Sequence, residues 1–294
     1  MSTPYRVALL GHGIGPSLTP AMHEQEAALL GLDYRYETVD LIGDPDVDLG
    51  AVLTRLEGEG FAAANVTHPF KVAVLDHVAS TSPVVERIGS ANLVLLDRTG
   101  DPGSPHRRAH NTDVTGFEAG LVAFLGARPR GRVLQVGAGG AGRATAYALL
   151  DLGFDEVVVH DRDPLAAAAL VERFAPASGG RMTASGDDLA PWVREVTGVV
   201  HVTPMGMAEH PGVAFDPAGL REGAWVAEVV YRPLATELLR RARARGLDTL
   251  DGGLMAVGQA VDSLRLITGR EPDRARMTEH FRALVRSLES DGAA

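Results

Sequence analysis

The sequence predicts an α/β protein of two domains, and three observations carry that prediction. Short apolar strands alternate with helical segments, the pattern of a mainly parallel sheet covered by helices. The 294 residues suit one large domain or two ordinary ones. A second strand–turn–helix series opens at residue 132 around the glycine-dense Gly137-Ala138-Gly139-Gly140-Ala141-Gly142, so a first α/β unit precedes a separate dinucleotide-binding one.

Composition narrows the function. A formal net charge of −10 argues against nucleic acid or an anionic membrane as partner. With no cysteine there is no disulfide framework, no thiolate chemistry and no cysteine zinc site, and no metal is expected. The N-terminus enters the strand Arg6-Val7-Ala8-Leu9-Leu10 without the basic, apolar and small-residue pattern of a signal peptide. No apolar run approaches the ~18 residues of a membrane span. A soluble cytoplasmic protein is the expectation, with the last residues, 291–294, fraying.

The first unit reads strand, loop, helix. Residues 7–10 are a buried strand, and Gly11-His12-Gly13-Ile14-Gly15-Pro16 is a loop open to positive φ and to close approach of a ligand. Ser17-Leu18-Thr19-Pro20 opens a helix that stops at Gly31, with Thr19 as N-cap and Pro20 at the first helical position. Capping alone accounts for Ser17 and Thr19; the competing reading is that their hydroxyls grip a polyol or carboxylate at a helix start. An alternating strand over 34–40 and a helix over 49–56 follow.

Next comes Asn65-Val66-Thr67-His68-Pro69-Phe70-Lys71, where a small-residue strand over 60–66 turns into a helix beginning at Lys71. Of the 28 basic residues one is lysine, Lys71, and the other 27 are arginine. A guanidinium cannot give and take a proton near neutral pH, whereas an amine can, so this chain has kept one amine in a polar turn. Ligands of parallel sheets bind beyond the carboxyl ends of the strands, which is where Asn65, Thr67 and Lys71 fall. A turn with Asn92 leads into another strand, and residues 97–107 read as a hairpin tip without chemistry. His110-Asn111-Thr112-Asp113 enters a helix, with Asp113 either its N-cap or a carboxylate partner for the amine.

The second unit carries the strongest signal. A strand over 132–136, the G-x-G-x-x-G loop and a helix over 143–150 supply the context that the loop needs to cradle a pyrophosphate. A second strand, 156–160, ends in Asp161-Arg162-Asp163. Asp161 lies about 20 residues past the glycines, where an acidic residue accepts the adenosine ribose hydroxyls. Two carboxylates against one guanidinium favour NAD over NADP, with Arg162 free to stack on adenine or meet a 2′-phosphate. Residues 198–202 form a strand running into Thr203-Pro204-Met205-Gly206 beside the nicotinamide position, and 225–231 another strand. The arginines at 240, 241, 243 and 245 read as a solvated helix face. Asp251-Gly252-Gly253 starts the final helical segment, with Gln259 as a buried amide and Met205, Met207 and Met255 as packing residues.

Together these motifs resemble the shikimate/quinate dehydrogenase family along nearly the whole chain. The resemblance rests on Ser17-Leu18-Thr19-Pro20, on residues 65–71 and Asn92, and on Asn111-Thr112-Asp113. It continues through the glycine loop, Thr203-Pro204-Met205-Gly206, Tyr231-Arg232-Pro233, and Gly253-Leu254-Met255 with Gln259. It implies a substrate domain built from residues 1–112 and 253–294, with the C-terminal helices returning to it, and a Rossmann domain over 113–252. It implies Lys71 and Asp113 as the catalytic acid/base pair. Ser17, Thr19, Thr67, Asn92, Tyr231 and Gln259 would hold the substrate, a small cyclic polyol carboxylate. Residues 137–142, Asp161, Arg162, Thr203, Met205 and Gly253 would border the cofactor.

Biosynthetic, NADP-using members usually carry an N-R-T-type sequence where this chain has Asp161-Arg162-Asp163, and a second serine at Thr19; both departures, with Thr236-Glu237, resemble the NAD-using quinate/shikimate branch. His201 stands where an asparagine often precedes the Thr-Pro turn, and Leu93 where a threonine is common. The expected activity is NAD-dependent oxidation of a ring hydroxyl of quinate or shikimate. The alternatives are an NADP-dependent biosynthetic or aminoshikimate dehydrogenase and, from another class, a non-catalytic dinucleotide sensor. The oligomeric state stays open, a homodimer being one option.

Overall fold

The computed structural model describes residues 4–44, 46–96 and 106–291. Contacts divide the chain into two compact units, Met1–Thr112 with Val257–Ala294, and Asp113–Ala256. The second division lies inside a helix, four residues beyond the 252/253 boundary expected from the motifs.

In the first unit, β1 (Tyr5–Gly11), α1 (Thr19–Leu29), β2 (Tyr34–Asp40), α2 (Leu49–Gly58), β3 (Ala63–Val66), β4 (Ser80–Thr81), α3 (Pro83–Ile88), β5 (Leu93–Leu95) and β6 (Arg108–His110) build a six-stranded sheet in the order β2-β1-β3-β5-β6-β4. Only β5 runs against the others, pairing antiparallel with β3 and β6. Successive strand side chains point to opposite faces, and the two apolar layers sort accordingly. Ala8, Leu10, Ala64 and Val66 pack against Leu49, Leu53 and Leu56, which share one face of α2 at helical spacing. Val7, Leu9 and Ala63 join a second layer with Ala27 and, from far along the chain, Leu264.

The second unit comprises α4 (Asp113–Leu125), β7 (Arg132–Val136), α5 (Gly140–Asp151), β8 (Glu156–His160), α6 (Pro164–Ser178), β9 (Met182–Ala184), α7 (Ala190–Glu195), β10 (Gly198–His201), β11 (Trp225–Glu228), α8 (Glu237–Ala244) and β12 (Asp248–Leu250). Its sheet, β12-β11-β10-β7-β8-β9, is wholly parallel and doubly wound, with its order reversing between β7 and β10. Then α9 (Gly253–Thr268) and α10 (Arg274–Asp291) close the chain. Buried Glu26 of α1 receives two hydrogen bonds from Arg276 and one from the Asp273 N–H, which ties α10 back to the first unit.

Several local expectations are corrected. The helix expected from Lys71 is a turn followed by one short 3₁₀ helix, Ala73–His77, because the Lys71 carbonyl accepts the Ala91 N–H at 2.7 Å and is withdrawn from helical bonding. The strand expected from residue 60 starts at Ala63, since Gly60 has φ +80°. Leu18, not Thr19, is the N-cap of α1; Thr19 sits in the helix and its N–H donates to Ser17 Oγ at 3.3 Å. Asp113 is the first residue of α4 rather than its cap. The helix after the glycine loop begins at Gly140, so the loop's later glycines form its first turn. The strand expected over 225–231 ends at Glu228, opposite the last residue of β10. Gln259 is half-buried rather than buried. Residues 97–105 of the expected hairpin tip, and 292–294 of the expected frayed end, lie outside the described residues.

One packed carboxyl gives a stability test. Glu118 on α4 is pushed up from 4.5 to about 7, first by burial and then by the charge of Asp151 on α5. A raised carboxyl binds more protons folded than unfolded, so its stabilising share is present below pH 4.5 and is lost as pH rises through about 7. Because the group is only half-buried, solvent screening reduces the effect to about 1 kcal/mol. Glu118→Gln is therefore expected to gain about 1 kcal/mol at pH 8 and nothing at pH 4, measured by urea unfolding at both.

Candidate active site

The first unit gathers its polar residues where β1 and β3 end. Leu9 and Leu10 lie in register with Asn65 and Val66, and two further bonds zip the loops together: Thr67 N–H to the Leu10 carbonyl at 2.9 Å and His12 N–H to the His68 carbonyl at 3.0 Å. Gly11 makes this approach possible, because a Cβ there would sit 2.4 Å from Thr67 Cγ2. The loop after β1 is held by Asp40 at the end of β2, whose carboxylate accepts the N–H groups of Gly13, Ile14 and Ile42. Desolvation works against that carboxylate's charge, yet the three backbone donors keep its pKa below the usual value. Ser17 and Thr19 follow directly on this braced loop.

Lys71 is half-buried, and its backbone is pinned to Ala91, the neighbour of Asn92. Asn92 is itself fixed on three sides. Its carbonyl accepts the Val66 N–H, its N–H donates to the His110 carbonyl, and its amide exchanges bonds with Thr112: Thr112 N–H to Oδ1 at 2.8 Å, and Nδ2 to Oγ1 at 2.9 Å. The chain immediately before Asp113 is thereby held, and Asp113 itself is buried at the start of α4.

A polar layer missed by the sequence reading lies beneath these residues. Asn65 accepts Tyr36 Oη at 2.8 Å and donates from Nδ2 to Ser263 Oγ at 2.9 Å and to the Asn92 carbonyl. Ser263 stands one turn after Gln259 on α9, so Asn65 sets where that helix lies against β3. Nearby His23, hydrogen-bonded to Tyr34, is driven down to about 3 by burial and brings no charge to the layer. The available signal was a lone asparagine in a run of alanine and valine, since a buried amide needs partners.

The second unit presents the glycine loop at the reversal of its sheet order. Gly137 has φ +119°, and a Cβ on it would lie 2.7 Å from the Val202 carbonyl. A Cβ on Gly142 would lie 2.5 Å from the Gly137 carbonyl, whereas nothing lies within 4 Å of that position on Gly139, which leaves open space before α5. No side chain caps α5 at Gly139. This donor-rich helix start, kept clear by glycines, fits a pyrophosphate. Gln135, wholly buried within β7, bonds the carbonyls of both Gly137 and Gly142 at 2.9 Å and is itself held by Thr145. An amide in an otherwise apolar strand was its sequence signal. Asp161 accepts the Ala138 N–H at 2.8 Å and the Asp163 N–H at 3.0 Å. Asp163 caps α6 through the Leu165 N–H, and Arg162 is exposed.

The expected site residues thus divide between the units. Ser17, Thr19, Thr67, Lys71, Asn92 and Gln259 belong to the first; Asp113, Tyr231, the glycine loop, Asp161, Arg162, Thr203, Met205 and Gly253 belong to the second. Met205 is exposed, while Thr203 and Tyr231 are half-buried and Gly253 opens α9.

Comparison with known proteins gives consistent matches. Residues 9–94 match the model of the shikimate dehydrogenase substrate binding domain. The chain is 48% identical over 277 residues to the NADP-dependent shikimate dehydrogenase of Streptomyces avermitilis, covering 93% of each. It is 42% identical over 288 residues to the NAD-dependent quinate/shikimate dehydrogenase of Corynebacterium glutamicum, covering 97% of this chain and 100% of that one. Among solved structures, it is similar to quinate dehydrogenase from Corynebacterium glutamicum in complex with NAD, with a TM-score of 0.86, 41% identity, and coverage of 95% of this chain and 99% of that one.

Proposed function

The chain belongs to the shikimate/quinate dehydrogenase family, and on that premise we propose that it catalyses the reversible NAD-dependent oxidation of the C3 hydroxyl of quinate or shikimate to the 3-dehydro ketone. The observation that carries the reading is Lys71, the single lysine of the chain, fixed through its carbonyl beside Asn92 at the carboxyl end of β3.

In this reading the hydroxyls of Ser17, Thr19 and Thr67 and the amides of Asn92 and Gln259 hold the ring hydroxyls and carboxylate, with Tyr231 lining the site. Lys71 takes the C3 hydroxyl proton as the adjacent C–H leaves as hydride, and returns it in the reverse direction. Asp113 orients the amine and balances its charge. The dinucleotide, when bound, supplies the hydride acceptor; residues 137–142 and the start of α5 would hold its pyrophosphate and Asp161 its adenosine ribose. Thr203, Met205 and Gly253 would border its other end.

NAD is favoured in this reading because the Asp161 carboxylate would repel a 2′-phosphate on the adenosine ribose. A second reading, NADP-dependent reduction of the 3-dehydro ketone, draws on exposed Arg162 and on the Streptomyces relative. A steady-state matrix of NAD and NADP against quinate and shikimate separates them. The expected result is kcat/KM higher with NAD by about 10-fold or more, the worth of one charged contact. Equal or better use of NADP overturns the NAD assignment. Dinucleotide binding by calorimetry without turnover of either ring acid would make the chain a sensor instead.

A further inference from the structure

The C-terminal end of β10 holds a buried polar chain in which His201, Glu228 and Thr236 have no part in the chemistry above. His201, the last residue of β10, lies in register with Val136 of β7 on one side and Glu228 of β11 on the other. Its side chain is 1% exposed and that of Glu228 is 0% exposed. One Glu228 oxygen meets His201 Nδ1; the other accepts the Thr236 hydroxyl at 2.5 Å. Thr236 in turn caps α8 by accepting the Leu239 N–H. On the opposite edge of the imidazole, Nε2 meets Thr203 Oγ1 at 2.5 Å, and that oxygen accepts the Met205 N–H at 3.2 Å.

The donors and acceptors order themselves along this chain. A carboxylate at Nδ1 favours the tautomer in which that nitrogen donates and Nε2 accepts. Thr203 Oγ1 has already accepted from Met205 and has its own hydrogen to give. The run is therefore Met205 N–H to Thr203, Thr203 O–H to His201, and His201 N–H to Glu228, which Thr236 also satisfies. A buried network satisfied at every member rigidifies what it touches. It touches the turn over residues 203–206, at the point where the sheet order reverses. There a Cβ on Gly137 would lie 3.1 Å from Thr203 Cγ2, and one on Gly206, at φ +95°, would lie 3.5 Å from Thr236 Cβ.

We propose that His201 is a positioning residue for the nicotinamide end of the cofactor: backed by Glu228 and Thr236, it fixes the Thr203 hydroxyl and through it the turn over residues 203–206. This rests on the dinucleotide reading given above. Adenosine and pyrophosphate are held elsewhere, by Asp161 and the start of α5, so loss of this contact should spare affinity and misplace the reacting ring. Small misplacements of reacting groups cost up to about 10²-fold in rate.

His201→Leu would strand a buried carboxylate and endanger folding. The informative variants of the full chain are therefore Thr203→Val, which removes only the hydroxyl, and His201→Gln, whose amide keeps one donor and one acceptor. Thr203→Val is expected to lower kcat by about 10-fold or more while NAD Kd stays within about twofold; His201→Gln is expected to stay within about threefold of wild type. In ¹⁵N-histidine-labelled wild type, His201 should show a protonated Nδ1 and an unprotonated Nε2, with resonances that move on NAD addition. Wild-type turnover with an equally fast Thr203→Val overturns the proposal, as does a His201 signal that NAD leaves unmoved. A signal that moves with NAD, in a protein that oxidises neither ring acid, upholds the positioning role and overturns the substrate reading.

Discussion

Lys71→Ala is expected to lower kcat for quinate or shikimate oxidation by about 10³-fold, within the range of lost acid–base catalysis, while KM for the ring acid changes by less than about tenfold. The asymmetry follows from how the residue is held. The Lys71 carbonyl accepts the Ala91 N–H, and the turn before it is tied through the Thr67 N–H and carbonyl. Truncating the side chain leaves these three backbone bonds in place, so under the proposed mechanism the ring would still bind while the proton relay would be lost. Lys71→Arg should fail almost as completely, since a guanidinium stays charged and cannot take the alcohol proton. The check is steady-state kinetics by absorbance of the reduced cofactor, with calorimetric binding of the ring acid to each variant. Near-wild-type turnover in Lys71→Ala would remove Lys71 from the chemistry. Collapse of both kcat and binding would give it a binding role instead.

How much of this was legible in the sequence depends on range. The two units, the strand–helix alternation and the glycine loop are written in local periodicity and in residues whose backbone freedom the turn demands, and they were readable. Two of the misplaced boundaries share one cause. Lys71 fails to start a helix because of Ala91, and the strand over 225–228 ends where its neighbour β10 ends. In both, a partner distant in sequence overrides local preference, and periodicity carries no trace of it. The buried amides tell a similar story. Asn65 and Gln135 were visible as polar residues in apolar strands, but Ser263 lies too far along the chain from Asn65 for spacing to reveal, and the nearby partners of Gln135, Thr145 and the two ends of the glycine loop, meet it only because the loop folds back over β7. His201 was noticed only as an unusual residue; what it does depends on Glu228 and Thr236, which register brings to it.

Asp161→Asn is expected to reverse or nearly abolish the choice of cofactor. Asp161 carries two loads. Its carboxylate braces the glycine loop through the Ala138 and Asp163 N–H groups, and in the proposed complex it also accepts from the adenosine ribose. Loss of a charged acceptor on the ribose hydroxyls is worth about 1.5–3 kcal/mol, so kcat/KM with NAD should fall roughly 10- to 100-fold. For NADP the same change removes a negative charge facing the 2′-phosphate and leaves exposed Arg162 beside it, so kcat/KM with NADP should hold or rise. The preference ratio, rather than either rate, is therefore the measurement: it should move toward NADP by about tenfold or more. A brace alone would behave differently. If the loop merely loosens, both dinucleotides lose a pyrophosphate cradle equally and the ratio stays fixed while both rates drop. Equal losses with NAD and NADP would leave Asp161 as a strut of the glycine loop and move cofactor choice to Arg162 and Asp163.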